Sequence, residues 1–324
     1  MSAHRLVVVV VLAALVLMTP GDRLQAGGPP RVLIVGPIDS YGALVAGVSE
    51  GLQAGGFADT SAVRVDVRNV RSRDEAKAAI AEAVDRGVDA LVTIFTPATQ
   101  AARDVTTTVP IVFCPVADPL AARLVASLDA PGANITGIAS ADAEATRQRL
   151  LGFTRVVPGL KRLGVFVDPG FPPDRLQLAN LRLVGPDQGV IIVAREVLDG
   201  PGAVAALEEL DRGEVDALFI LKEALLRSAG RELGRIAVDR RIPILVGDSE
   251  LAELRAVVAS VGPDQRHVGR LGGAMTAKIL KGARPGALPV EHPAFELVLN
   301  LGAAKEIGLA VPDEAIRGAA RVIR

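Results

Sequence analysis

Two serines sit in patterns that elsewhere carry a nucleophile. Gly47-Val48-Ser49-Glu50-Gly51 matches G-x-S-x-G, and Gly247-Asp248-Ser249-Glu250-Leu251 is close to the serine motif of some esterases. The first pattern needs a strand directly before the serine and a helix after it, so that a strained turn presents the hydroxyl. Residues 41–54 instead read as one helix, which makes Ser49 an ordinary helix residue. A serine nucleophile also needs a base, and the chain has three histidines. His4 lies in a leader segment, His267 early in a long helix and His292 beside Pro293, with no companion suggesting a triad or a metal site. The single cysteine, Cys114, lies within an apolar strand and reads as a small core residue. No G-x-G-x-x-G or G-x-x-x-x-G-K-[ST] announces a nucleotide. The chain is therefore expected to be no enzyme and to use neither metal nor cofactor, with a Ser hydrolase as the minor alternative.

Positioning any site falls to the rest of the 324 residues, of which 50% are hydrophobic and 23% charged, the balance of a folded chain long enough for two cores. The 36 basic and 37 acidic residues are intermixed, which offers nucleic acid no basic face. Aromatic residues make up 3%, with no Trp and one Tyr, which argues against stacking platforms for sugars or bases. His4 and Arg5 precede an apolar run from Leu6 to Met18, then Thr19, Pro20 and Gly21. Residues 1–26 thus read as a cleaved signal peptide, too short in its apolar part to span a bilayer. No cysteine lies near it for a lipid anchor. The expected destination is the periplasm, with no membrane anchor after cleavage.

Beyond that leader, apolar runs at 31–35, 63–67, 89–95, 110–114, 162–167, 190–194, 216–221 and 243–246 read as buried parallel strands. Between them, 41–54, 73–85, 143–156, 202–211, 223–239 and 264–281 carry the three- and four-residue apolar spacing of helices covering a sheet. The fold class is α/β, doubly wound. The halves also echo each other: Arg31 opens an apolar strand followed by Val88-Asp89-Ala90-Leu91 and Val109-Pro110-Ile111-Val112. Arg162 opens another, followed by Val215-Asp216-Ala217-Leu218 and Ile242-Pro243-Ile244-Leu245. One pattern used twice predicts two similar lobes whose strand ends share a cleft.

In their order and spacing, several segments make the chain resemble the ABC transporter substrate-binding protein family of type I periplasmic binding proteins. They are Thr96-Pro97-Ala98-Thr99-Gln100, Ala117-Asp118-Pro119, Pro131-Gly132-Ala133-Asn134-Ile135-Thr136-Gly137, Val215-Asp216-Ala217-Leu218, and the stretch from Gly269 to Gly282. The resemblance implies two hinged α/β lobes, 31–137 plus 262–294 and 138–261 plus 295–324, with crossovers near 136–140, 260–263 and 295–301. It implies a small-molecule ligand and an ABC permease in the inner membrane as partners, no nucleic acid, and a monomer. A periplasmic sensor of the same fold that presents its liganded form to a membrane receptor rather than to a permease remains the other reading.

Candidate cleft residues are those at the carboxyl ends of strands. The first lobe offers hydroxyls at Ser40, Tyr41, Thr96 and Thr99, an acid at Asp118, and Ser140 after the first crossover. The second offers Asp168, Glu223 and Asp248. Hydroxyls suit a carboxylate or amide and acids suit an ammonium, so an amino acid or related molecule satisfies both sets. Asp118 and Asp168 each precede a proline and are equally suited to capping turns. The chain departs from many relatives at Lys222-Glu223-Ala224, where they carry Asp-Asn, and at Pro263-Asp264-Gln265, where they often carry a Tyr pair. Wall-forming aromatics are thus expected to be missing from the pocket.

Overall fold

The computed structural model describes residues 28–324 apart from 60, 141, 142, 212 and 222. The segment 1–26, read from the sequence as a signal peptide, and Lys222 lie outside the described residues.

Twelve strands and ten helices are described. The strands are β1 (Arg31–Gly36), β2 (Arg64–Asn69), β3 (Ala90–Thr93), β4 (Ile111–Val116), β5 (Ile135–Ala139), β6 (Arg162–Val167), β7 (Ile191–Glu196), β8 (Ala217–Ile220), β9 (Ile244–Val246), β10 (Val257–Pro263), β11 (Phe295–Asn300) and β12 (Arg321–Ile323). The helices are α1 (Gly42–Ala54), α2 (Arg73–Asp85), α3 (Phe95–Val105), α4 (Ala143–Val156), α5 (Pro172–Val184), α6 (Gly200–Glu209), α7 (Glu223–Arg240), α8 (Gln265–Leu280), α9 (Leu301–Ile307) and α10 (Asp313–Gly318).

They form two sheets, ordered β2-β1-β3-β4-β5 and β12-β11-β10-β9-β8-β6-β7. Pairing is parallel throughout except between β10 and β11, which run antiparallel. Alternation along each central strand feeds two cores, because successive side chains leave opposite faces. In β1, Val32 and Ile34 pack with Leu44 and Val48 of α1 and Val268 and Met275 of α8, while Leu33 and Val35 pack with Ile80 of α2 and Ala98 of α3. In the second sheet Leu163, Val165 and Val167 meet Phe153 of α4 and Leu181 of α5, whereas Phe166 joins Leu207 of α6 and Leu233 of α7 on the other face. The doubly wound α/β class follows from this double covering.

Not every predicted strand is buried. β2 and β7 lie at sheet edges, and most of their residues are exposed or half-exposed. Arg64, Asp66 and Arg68 give β2 the charged character that keeps an open edge from pairing with another chain. The run 89–95 is also not all strand: β3 stops at Thr93, and Phe95 starts α3 with a φ of 66°. α3 and α5 fall outside the helical segments expected from apolar spacing, and each carries a proline in its first turn, Pro97 and Pro172, where a missing N–H is tolerated.

The glycines of Gly47-Val48-Ser49-Glu50-Gly51 have a packing role. A Cβ on Gly47 would lie 2.1 Å from the Arg266 carbonyl oxygen, and one on Gly51 2.2 Å from that of Arg270, so α1 and α8 touch backbone to backbone. Ser49 sits within α1 and its hydroxyl donates to the Val45 carbonyl at 3.3 Å.

The chain passes between the sheets three times: after β5, between β10 and α8, and between Glu291 and β11. At the last crossing Glu291 still bridges Ile138 beside the first sheet, and Phe295 pairs with Pro263 in the second. This crossing thus precedes β11.

Candidate functional site

The carboxyl ends of both sheets open into one cavity of about 610 Å³. From the first sheet come Gly36 and Pro37 at the end of β1, Val70 to Ser72 after β2, Ile94 to Ala98 after β3, Pro115 and Ala117 around the end of β4, and Ser140 after β5. From the second come Arg149 of α4, Phe171, Asp174 and Gln177 at and within α5, Phe219 and Leu221 around the end of β8, Arg227 of α7, and Gly247 and Asp248 after β9. Pro263 and Gln265 line it from the second crossing. Ligand sites of open α/β sheets lie beyond the carboxyl ends of their strands, and here two such ends face each other.

The first-sheet wall depends on a sharp corner. A Cβ on Gly36 would lie 2.5 Å from that of Ile94, so only glycine lets β1 and the end of β3 approach this closely. Phe95 then turns into α3, whose N-cap, Ile94, has no side chain to satisfy the first helical N–H groups. With Thr96 beside them, these groups form a positive helix end at the cavity, suited to a carboxylate. At the neighbouring helix start, Ser72 caps α2 by accepting from the Glu75 N–H at 3.1 Å, while Glu75 accepts from the Arg71 N–H at 2.8 Å.

Opposite lies Asp248, 4% exposed, with Oδ2 3.8 Å from Nη2 of Arg227. Deeper, Arg149 is 6% exposed. Its Nε donates to the Val261 carbonyl at 2.9 Å and Nη1 to Oε1 of Gln177 at 3.3 Å, and its guanidinium carbon stands 5.8 Å and 5.0 Å from the ring centroids of Phe219 and Phe295. Asp174 is buried, and its Oδ2 accepts from the Asp168 N–H at 3.0 Å.

Of the residues singled out from the sequence, Tyr41, Thr96, Ser140 and Asp248 come together around this cavity. Thr99 does not line it, because its side chain is wholly buried, hydrogen-bonded to Thr93 Oγ1 at 2.8 Å and donating to the Phe95 carbonyl at 2.9 Å. Asp118 does not line it either; Oδ1 accepts from the Leu120 and Ala121 N–H groups at 3.0 and 2.9 Å, a turn cap. Asp168 accepts from the Gly170 N–H at 2.8 Å in the same manner and is not among the residues lining the cavity. Ser40 ends a short 3-10 turn before Tyr41, and Glu223 is the first residue of α7.

Wall-forming aromatics are present, against the expectation from the sequence. Tyr41, Phe95, Phe171 and Phe219 all line the cavity, four of the nine aromatic residues in the chain. Counting aromatics over the whole sequence hid their concentration; the placement of Tyr41, Phe95 and Phe171 shortly after strands was the available signal, while Phe219 lies within β8. Arg149, Gln177 and Arg227 gave none, since they lie within helices and reach the cavity by the way those helices are laid on the sheet. Cys114 stands behind Pro115, wholly buried, where desolvation pushes its thiol up to about 12; it is a neutral core residue. Among the described residues no three His, Cys, Asp or Glu side chains gather as a metal site requires.

Two doubly wound sheets joined by three crossings, with a polar and aromatic cavity between their strand ends, define a two-lobed solute-binding protein of the type I periplasmic fold. The chain belongs to the ABC transporter substrate binding protein family, whose pattern matches residues 32–323. It is 24% identical over 265 residues to a tyrosine-binding protein of Clostridioides difficile, covering 81% of this chain and 76% of that one. A domain of Streptococcus pneumoniae solved in complex with L-Trp superposes with a TM-score of 0.77 at 23% identity, over 91% of this chain and all of that one. A ligand-free, open substrate-binding protein of Clostridium difficile gives 0.76 at 23% identity, over 91% and 99%. The protein captures a solute for an ABC transporter.

Proposed function

We propose that the solute is an α-amino acid with a large apolar or aromatic side chain, held in the cavity between the sheets. One observation carries this reading: the uncapped start of α3 and the buried carboxylate of Asp248 face one cavity whose walls include four aromatic rings. A carboxylate suits the helix start and Thr96, an ammonium suits Asp248, and an apolar side chain suits the rings. The names of the two amino-acid-binding relatives support the same class. Segments 31–137 with 262–294 and 138–261 with 295–324 move as two lobes, and ligand that touches both favours the closed arrangement the permease reads. The chain acts in the periplasm as a soluble monomer after loss of residues 1–26. It performs no catalysis, a reading supported by the placement of Ser49 within α1.

The test is a thermal-shift screen of the exported chain against the L-amino acids, short organic acids, sugars and nucleosides, followed by calorimetry on any hit, since ligand that binds only the folded state raises the melting temperature. Shifts confined to aromatic or large aliphatic L-amino acids are expected. Shifts only with sugars or nucleosides would overturn the ligand class, and turnover of a generic ester would overturn the non-enzymatic reading.

A further inference from the structure

Arg149 touches more of the interlobe machinery than any ligand contact requires. It projects from α4, the first helix after the first crossing. Its Nε holds the carbonyl of Val261, two residues before Pro263, where β10 hands the chain back to the first lobe. Its guanidinium lies 5.0 Å from the ring centroid of Phe295, the residue at which the third crossing enters β11 and pairs with Pro263. The same side chain lines the cavity and donates to Gln177, which lines it too. One buried cation, carried on the helix that follows the first crossing, thus touches the residues at the second and third crossings and the ligand space.

We propose that Arg149 is a positioning residue that couples filling of the cavity to the chain crossings about which the lobes turn. This rests on reading the cavity as the ligand site. The guanidinium is planar, with its donors in a fixed fork, so a ligand that shifts it on the cavity side turns the whole plane. That turn is felt at the Val261 carbonyl and the Phe295 ring together, and these lie within the last three ladder positions before the chain leaves the second lobe, from Val261 opposite Leu297 to Pro263 opposite Phe295. Ligand contact and crossing geometry are then two ends of one rigid group. Lysine keeps the charge but has neither the plane nor the fork, so it cannot hold both contacts at once.

Phe295 makes the decisive variant, because it does not line the cavity. Spin labels at Lys77→Cys on α2 and Arg231→Cys on α7, both exposed sites, report the distance between lobes, while buried Cys114 stays unlabelled. With L-tyrosine, L-tryptophan, L-phenylalanine and L-leucine as probes, Phe295→Leu and Arg149→Lys are expected to raise Kd by about tenfold and to broaden the ligand-bound distance. Leu207→Ala trims a buried side chain of α6 away from every crossing; it is expected to lower the melting temperature while leaving Kd within about twofold. Wild-type affinity and wild-type closure in both Phe295→Leu and Arg149→Lys would overturn the coupling. If none of the four probes binds wild type, the ligand class fails separately. The ligand-free distances then decide: broader in both variants than in wild type supports the coupling, and unchanged distributions overturn it.

Discussion

Phe95, held in the left-handed region at a φ of 66°, meets Tyr41 edge to face with ring centroids 4.6 Å apart. A bulky residue in this region carries a strain of about 1 to 3 kcal/mol and persists only where its surroundings fix it. Here the surroundings are the corner between β3 and α3, and the result is an aromatic wall on the cavity.

Replacing Phe95 separates strain from contact. Phe95→Ala keeps the strained corner and loses the ring, while Phe95→Gly loses the ring and relieves the strain. Both are expected to weaken binding of the proposed amino-acid ligand in calorimetry. In urea melts the glycine variant should be the more stable of the two by about 1 kcal/mol, the reverse of the usual helical order. A less stable glycine variant would mean the corner carries no strain.

Asp248 and Asp118 differ in what they hold. Removing the charge in Asp248→Asn should raise Kd for an amino-acid ligand by about tenfold or more, because a charge-assisted contact is worth roughly 1.5 to 3 kcal/mol. Asp118→Ala removes a cap from two backbone N–H groups and should cost about 1 kcal/mol of stability with affinity unchanged. Calorimetry and thermal melts on the pair check both halves.

Alanine at Gly269 or Gly273 would put a Cβ 2.0 Å from the Leu44 carbonyl oxygen or 2.1 Å from that of Val48. Each substitution should force α8 off α1 and destabilise the protein by about 2 to 3 kcal/mol in urea melts. Ser49→Ala, in the middle of the G-x-S-x-G pattern, should change stability by less than about 0.5 kcal/mol and leave binding intact.

The buried thiol of Cys114 titrates at about 12 in the fold, against 9.0 for an ordinary thiol, because desolvation disfavours the thiolate. A group whose folded pKa is raised contributes stability that is complete below the unfolded value and is lost as pH climbs towards the folded one. Between about pH 9 and pH 12 the wild type should therefore lose more stability than Cys114→Ala, and below that window their difference should be constant. Denaturant melts of both proteins across this range read the effect directly.

The sequence by itself determined the two α/β layers and the ends at which a site had to lie. The apolar runs at 31–35 and 162–167 and the spacing in 73–85 and 143–156 are local consequences of strand and helix geometry, readable without a partner. The same reasoning reached Tyr41, Thr96, Ser140 and Asp248, since each lies within five residues of the carboxyl end of a strand. Only the tertiary structure decided the rest. Whether a carboxylate at a strand end faces the cavity, as in Asp248, or folds back on its own turn, as in Asp118, depends on side-chain direction, which spacing does not encode. Arg149 and Val261 are 112 residues apart, and Tyr41, Phe95, Phe171 and Phe219 come from both lobes. Their meeting is a property of how two sheets and three crossings pack, because contacts across such separations arise from burial of whole faces rather than from any local pattern.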